Sequence, residues 1–181
     1  MISNGEETKR ELYKSYLILA SHLFRQSLPE GTPHLGTRKQ RFLIGSVTFI
    51  AFAMESFIND FGIKFVHGFD DLEGLETLTK FLLFPKLSMS NPMDLIHKEN
   101  SEYANLKKLF QYRNLFAHYK PAFRNDKSRE EKLMRELNYS VVRKEYTSAV
   151  KIMKLFNDHF GMFMGGDDWI SSYSKDIEVE I

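Results

Sequence analysis

Val47-Thr48-Phe49-Ile50-Ala51-Phe52-Ala53-Met54-Glu55-Ser56-Phe57-Ile58-Asn59-Asp60-Phe61 is the stretch that decides the fold. Val47, Ile50, Met54, Phe57 and Phe61, continued by Phe65, recur at the three- and four-residue spacing of one helix face. Apolar residues also fill much of the remaining circumference, the pattern of a helix enclosed by others. The period predicts one long central helix from about residue 37 to 67. No stretch of the chain alternates apolar and polar residues as a half-buried strand would. The expected architecture is therefore all-α: a single-domain bundle of four to five helices, in which the central helix packs against the helices of 101–119 and 140–160.

Outward from that helix, Thr8 and Glu11 form a capping-box pattern that opens a first helix with the stripe Leu12, Tyr16, Leu19 and Leu23. It should end before Pro29, and 29–36 reads as a loop from its proline and glycine content. Downstream, a shorter helix is expected over 72–84, closed by Pro85, followed by an irregular connection over 85–100. That connection is long for a compact domain and suited to covering something. Ser101 is placed to cap the next helix, which Pro121 should stop near Tyr119. A charge-rich segment, 121–138, admits a helix over 129–137. The last helix spans about 140–160, with Val142, Tyr146, Ala149, Met153, Phe156 and Phe160 in heptad-like spacing and Gly161 as its stop. The division expected is a helical domain over 1–164 and a polar C-terminal tail over 165–181 holding the one tryptophan, Trp169.

Composition narrows the chemistry. At 181 residues, with 43% hydrophobic and 27% charged residues, the chain fits one globular domain. It has no cysteine, which excludes disulfides, thiol catalysis and cysteine-ligated zinc, and fits a reducing cytoplasm. The segment Met1-Ile2-Ser3-Asn4-Gly5-Glu6-Glu7 is polar and acidic, unlike a signal peptide. Arg41 and Glu55 bracket the best apolar run within 13 intervening residues, so no membrane span is expected. The six histidines show no His-Glu-x-x-His pattern, and His67 with Asp70 and Asp71 is only a loop-borne coincidence. Gly165-Gly166 lacks the Lys-Ser or Lys-Thr of a phosphate loop, and no serine sits in a nucleophile elbow. Neither a metal nor a cofactor is expected.

The distinctive chemistry lies in Arg113-Asn114-Leu115-Phe116-Ala117-His118. Leu106, Leu109, Phe110, Arg113 and Ala117 follow a core-facing rhythm, and Arg113 takes a slot where Leu belongs. A buried guanidinium needs a carboxylate within the fold, a phosphate from outside, or both, because stranding it costs several kcal/mol. Asn114 and His118 share a face, whereas Arg113 and His118 differ by about 140° and about 7.5 Å along the axis, a gap that a long Arg side chain closes. The negative pole of the helix at that end favours a protonated imidazole. Glu55 is the one charge between Arg41 and Asp60, and it has two readings: the internal partner of Arg113, with Asn59 sharing its polar face one turn on, or a member of a narrow solvent-exposed strip. From Lys107 to Arg129 there are seven basic residues against one acid, Asp126, in a chain of net charge +1, a local phosphate-attracting footprint. Tyr112, Phe116, Tyr119 and Phe123 interleave with it and offer stacking faces for unpaired bases, Phe116 serving equally well as core.

Arg113-Asn114, followed by three residues and His118, resembles the Arg-x4-His signature of the HEPN superfamily (higher eukaryotes and prokaryotes nucleotide-binding). Glu55-Ser56-Phe57-Ile58-Asn59 resembles the Glu-x3-Asn helix that members often carry upstream. The resemblance implies a homodimer whose two Arg-x4-His helices meet across a cleft, and a metal-independent endoribonuclease, as in toxins or effectors of prokaryotic defence systems, regulated by an antitoxin or other protein. His118, Arg113 and Asn114 would be catalytic, Glu55 and Asn59 supporting, and products would end in a 2′,3′-cyclic phosphate. Lys107, Lys108, Tyr119, Lys120 and Arg124 are the expected RNA contacts. Some HEPN toxins carry, two residues after the His, a tyrosine to which an antitoxin attaches nucleotides; here Tyr119 follows directly and Lys120 takes the second place. The alternatives are a catalytically silent helical module for dimerisation or partner binding, in which Arg113 serves a structural ion pair, and a nucleotide-binding protein without turnover.

Overall fold

The computed structural model describes residues 12–27, 38–117 and 135–161. They form an all-α bundle of six helices: α1 (Leu12–Ser27), α2 (Arg38–Phe65), α3 (Phe69–Leu72), α4 (Thr77–Leu83), α5 (Ser101–Ala117) and α6 (Tyr139–Phe160). The expected four to five becomes six because α3 is a short additional helix ending at Leu72; the expected 72–84 helix is α4, which begins only at Thr77, past Gly74, where a helix costs most in backbone entropy. Thr8, the 29–36 loop and the 165–181 tail lie outside the described residues.

α2 is the central helix, and α1, α4, α5 and α6 all pack on it. Val47, Ile50, Met54, Phe57 and Phe61 are fully enclosed. Phe156 of α6 is the aromatic hub, meeting Phe57, Phe61 and Phe81 edge-on at centroid distances of 5.5, 5.1 and 5.9 Å. By length and composition α2 is apolar enough to cross a membrane, contrary to the expectation from Arg41 and Glu55. Half of its apolar window is buried against the other helices.

α1 lies antiparallel on α2: Tyr13 meets Phe57 edge-on, and further along Ser46 Oγ donates to the Ala20 carbonyl at 2.9 Å. Its buried stripe is Tyr13, Leu17, Ala20 and Phe24. The expected stripe is one residue off; Leu12 and Leu19 are exposed, while Tyr16 packs half-buried on Phe49 and Phe52. α1 is apolar on two adjacent faces, and the face with the small Ala20 wins because it lets the two backbones approach closely enough for the Ser46 bond.

α6 is delimited by its own sequence. The Asn138 side chain accepts from the Val141 N–H at 3.0 Å, and Gly161, at φ 61°, closes the last turn onto the Asn157 carbonyl. α5 begins on the carbonyl of Asn100, which accepts from Ala104 N–H; the Ser101 hydroxyl bonds the Glu102 carboxylate and is already in the helix. The 85–100 connection is irregular, as expected, and seals the bundle with Leu95 and Ile96 and with an isolated bridge between Val66 and Ser88.

Candidate functional site

The Glu55 and Arg113 segments meet. Arg113 Nη2 lies 3.1 Å from Glu55 Oε2, joining α5 to α2, and Nη1 donates to Asn114 Oδ1 at 2.9 Å. The guanidinium carbon sits 5.8 Å from the Phe52 ring centroid, in cation–π range. Arg113 Nε is buried with no hydrogen-bond partner among the described residues. The side chains of Arg113 and Glu55 are 25% and 36% exposed, so both readings of Glu55 hold in part: it is the partner of Arg113, and it lies at the wet edge of α2. A quarter of the Arg113 side chain remains open to solvent. Asn114 is exposed beside it, and His118, four residues further along the sequence, lies outside the described residues together with Tyr119, Lys120 and Arg124.

Asn59 shares the face of Glu55, and its partner comes from α4. Lys80 Nζ donates to Asn59 Oδ1 at 2.8 Å. Lys80 is 4% exposed, its head 5.9 Å from the Phe69 ring centroid. Burial pushes its pKa below the ordinary lysine value, and Glu55 and then Glu73 pull it back up. Glu55, Asn59, Lys80, Arg113 and Asn114 thus form one polar cluster drawn from three helices.

The remaining candidates on α5 point elsewhere. Lys107 is exposed. Lys108 pairs with Glu136, just before α6, at 3.3 Å and stands 5.8 Å from the Tyr112 ring centroid. Tyr112 is fully buried, so it offers no stacking face to a base; its ring stacks inside on half-buried Phe116. Between α5 and α6 lies an open groove of about 470 Å³ whose cations are Arg143, Lys144 and Lys151, none of them from the Arg113 cluster.

The sequence reading also missed Glu145. It is 2% exposed on α6, Oε2 has no hydrogen-bond partner among the described residues, and burial raises its pKa to about 7 despite the opposing pull of Lys108 and Lys144. Tyr112 across the interface has its hydroxyl in the same condition, and burial followed by Glu136 and Glu145 raises its pKa. Among the described residues no group of three or more His, Asp or Glu side chains is placed to hold a metal ion. Comparison with family models, with curated proteins and with solved structures finds no match for the chain.

Proposed function

We propose that the chain is a metal-independent endoribonuclease of HEPN type, working as a cytoplasmic homodimer and serving as the toxin or effector of a prokaryotic defence system under control of an antitoxin or regulatory protein. The observation that carries this reading is the Arg113–Glu55 contact, because it ties together the two segments that resemble the HEPN motifs and leaves the Arg113 side chain partly exposed. In the reaction, the ribose 2′-oxygen attacks the adjacent phosphorus and the 5′-oxygen leaves, giving a 2′,3′-cyclic phosphate and a 5′-hydroxyl. His118 accepts the 2′-hydroxyl proton, or donates one to the leaving oxygen. Arg113 meets the charge that grows on the non-bridging oxygens, and Asn114 orients the phosphate or the imidazole. Lys120 and Arg124 attract the backbone beside the site, with Tyr119 against a base, while Lys107 and Lys108 add to the positive field from other faces of α5.

Purified protein should cleave single-stranded RNA in EDTA. His118→Ala and Arg113→Ala should each lose about 10²-fold or more in rate while remaining folded by circular dichroism. RNA bound with unchanged affinity but never cut would favour nucleotide binding without turnover. Neither binding nor cleavage would favour the silent helical module, for which the Arg113–Glu55 pair is a brace.

A further inference from the structure

Lys80 is the one buried lysine among the described residues, and nothing in the proposed chemistry uses it. Burying an ammonium is costly unless its protons and its charge are both met. One proton is met at Asn59 Oδ1, at 2.8 Å, and the charge is offset by Glu55 and Glu73, which lie within electrostatic reach. Glu55 and Asn59 stand four residues apart on α2, on one face of the helix. Glu55 is therefore paired with Arg113 from α5 and lies within electrostatic reach of Lys80, which α4 anchors on Asn59 one turn further along α2.

This arrangement matters when Arg113 works. A guanidinium that engages a phosphate gives up part of its hold on its resident carboxylate, and a partly buried carboxylate left alone resists the change. We propose that Lys80 is a positioning residue: it fixes the Asn59 amide and keeps a second positive charge on Glu55, so that Arg113 can turn toward an RNA phosphate without stranding the carboxylate. The phosphate half of this statement rests on the ribonuclease reading; the linkage of Lys80 to Arg113 through Glu55 does not.

Two measurements separate those halves. The first is a double-mutant cycle by urea unfolding with Lys80→Met and Arg113→Met. The double variant's unfolding constant should depart about fivefold from the product of the single effects, and the departure should vanish in a Glu55→Gln background. An additive cycle, or one unaltered by Glu55→Gln, overturns the linkage. If Lys80→Met folds poorly, Lys80→Gln, which keeps a donor for Asn59 and removes the charge, carries the same cycle. The second is binding of an uncleavable 2′-O-methyl RNA oligonucleotide across a salt series. Lys80→Met should weaken it about tenfold, with Lys80→Arg recovering most of the loss. The salt slope should not change, because Lys80 touches no phosphate. A reduced slope would make Lys80 a direct RNA contact, and unchanged affinity would leave it a structural residue; either overturns the positioning role. If the wild-type protein binds no RNA while the cycle shows coupling, the ribonuclease reading falls and the linkage stands.

Discussion

α5 lies between two sets of polar side chains that the bundle treats in opposite ways. Toward α2 and α4, Arg113, Glu55, Asn59 and Lys80 are connected by an ion pair at 3.1 Å and a hydrogen bond at 2.8 Å, and Glu55 and Arg113 keep a wet edge. Toward α6, Glu145 and Tyr112 are buried, and Glu145 Oε2 and the Tyr112 hydroxyl lack hydrogen-bond partners among the described residues. Connection gives the charges of the first set partners within the fold. Isolation makes the second set hard to ionise, which burial shows by raising both pKa values. Where a bundle admits charge, the partners decide whether the result is a site or a liability.

The sharpest way to break that contrast is Glu145→Gln, which should leave RNA cleavage unchanged while altering stability strongly. A carboxyl raised from 4.5 to about 7 binds more protons in the folded chain than in the unfolded one. Its stabilising effect is therefore complete below pH 4.5 and is lost as pH rises through about 7. That loss amounts to about 3 kcal/mol, from 1.36 kcal/mol per pKa unit. Urea unfolding of wild type and variant from pH 4 to pH 8 should show the two diverging across this window; parallel curves would mean that Glu145 is solvated.

On the other side, Glu55→Ala should cost only about 1 kcal/mol, less at high salt, because the pair it breaks is part-exposed. A loss of about 3 kcal/mol would instead mark a pair sealed from water. Thermal unfolding at low and high ionic strength distinguishes the two. The smallest effect belongs to Tyr112→Phe, which removes a hydroxyl with no hydrogen-bond partner among the described residues and should shift stability by about 0.5 kcal/mol or less. A clear destabilisation by urea titration would reveal a bond to that oxygen and erase the contrast with Arg113.

Much of this was legible from residue spacing, and the failures have physical causes. α2 and α6 announce themselves through long single stripes, and α6 through Asn138 and Gly161 as well. α1 misleads by one residue because both of its adjacent faces are apolar, and the choice between them is made by the close approach at Ala20, a tertiary effect. Arg113 stands out as a charge in an apolar register, and the same rule applied to Val142, Glu145, Tyr146 and Ala149 exposes Glu145. Lys80 carries no such mark. Its helix is short, its neighbours Thr79 and Phe81 set no clear face, and its partner lies 21 residues back on another helix. Polar contacts within one turn can be guessed from sequence; this hydrogen bond requires the packing of α4 on α2.

That packing turns on Gly62, one turn beyond Asn59. A Cβ at this position would run into the rings of Phe69 and Phe84, so the missing side chain is what allows α3 and the end of α4 to sit against α2. Lys80 reaches Asn59 only because that seat is flush. Residue 62 is thus a shim: its thickness sets how far the ammonium extends toward the carboxylate that holds Arg113, although Gly62 touches neither. Any lineage or designer wishing to loosen the grip on that arginine has a remote adjustment available there, one that leaves every polar residue of the cluster in place.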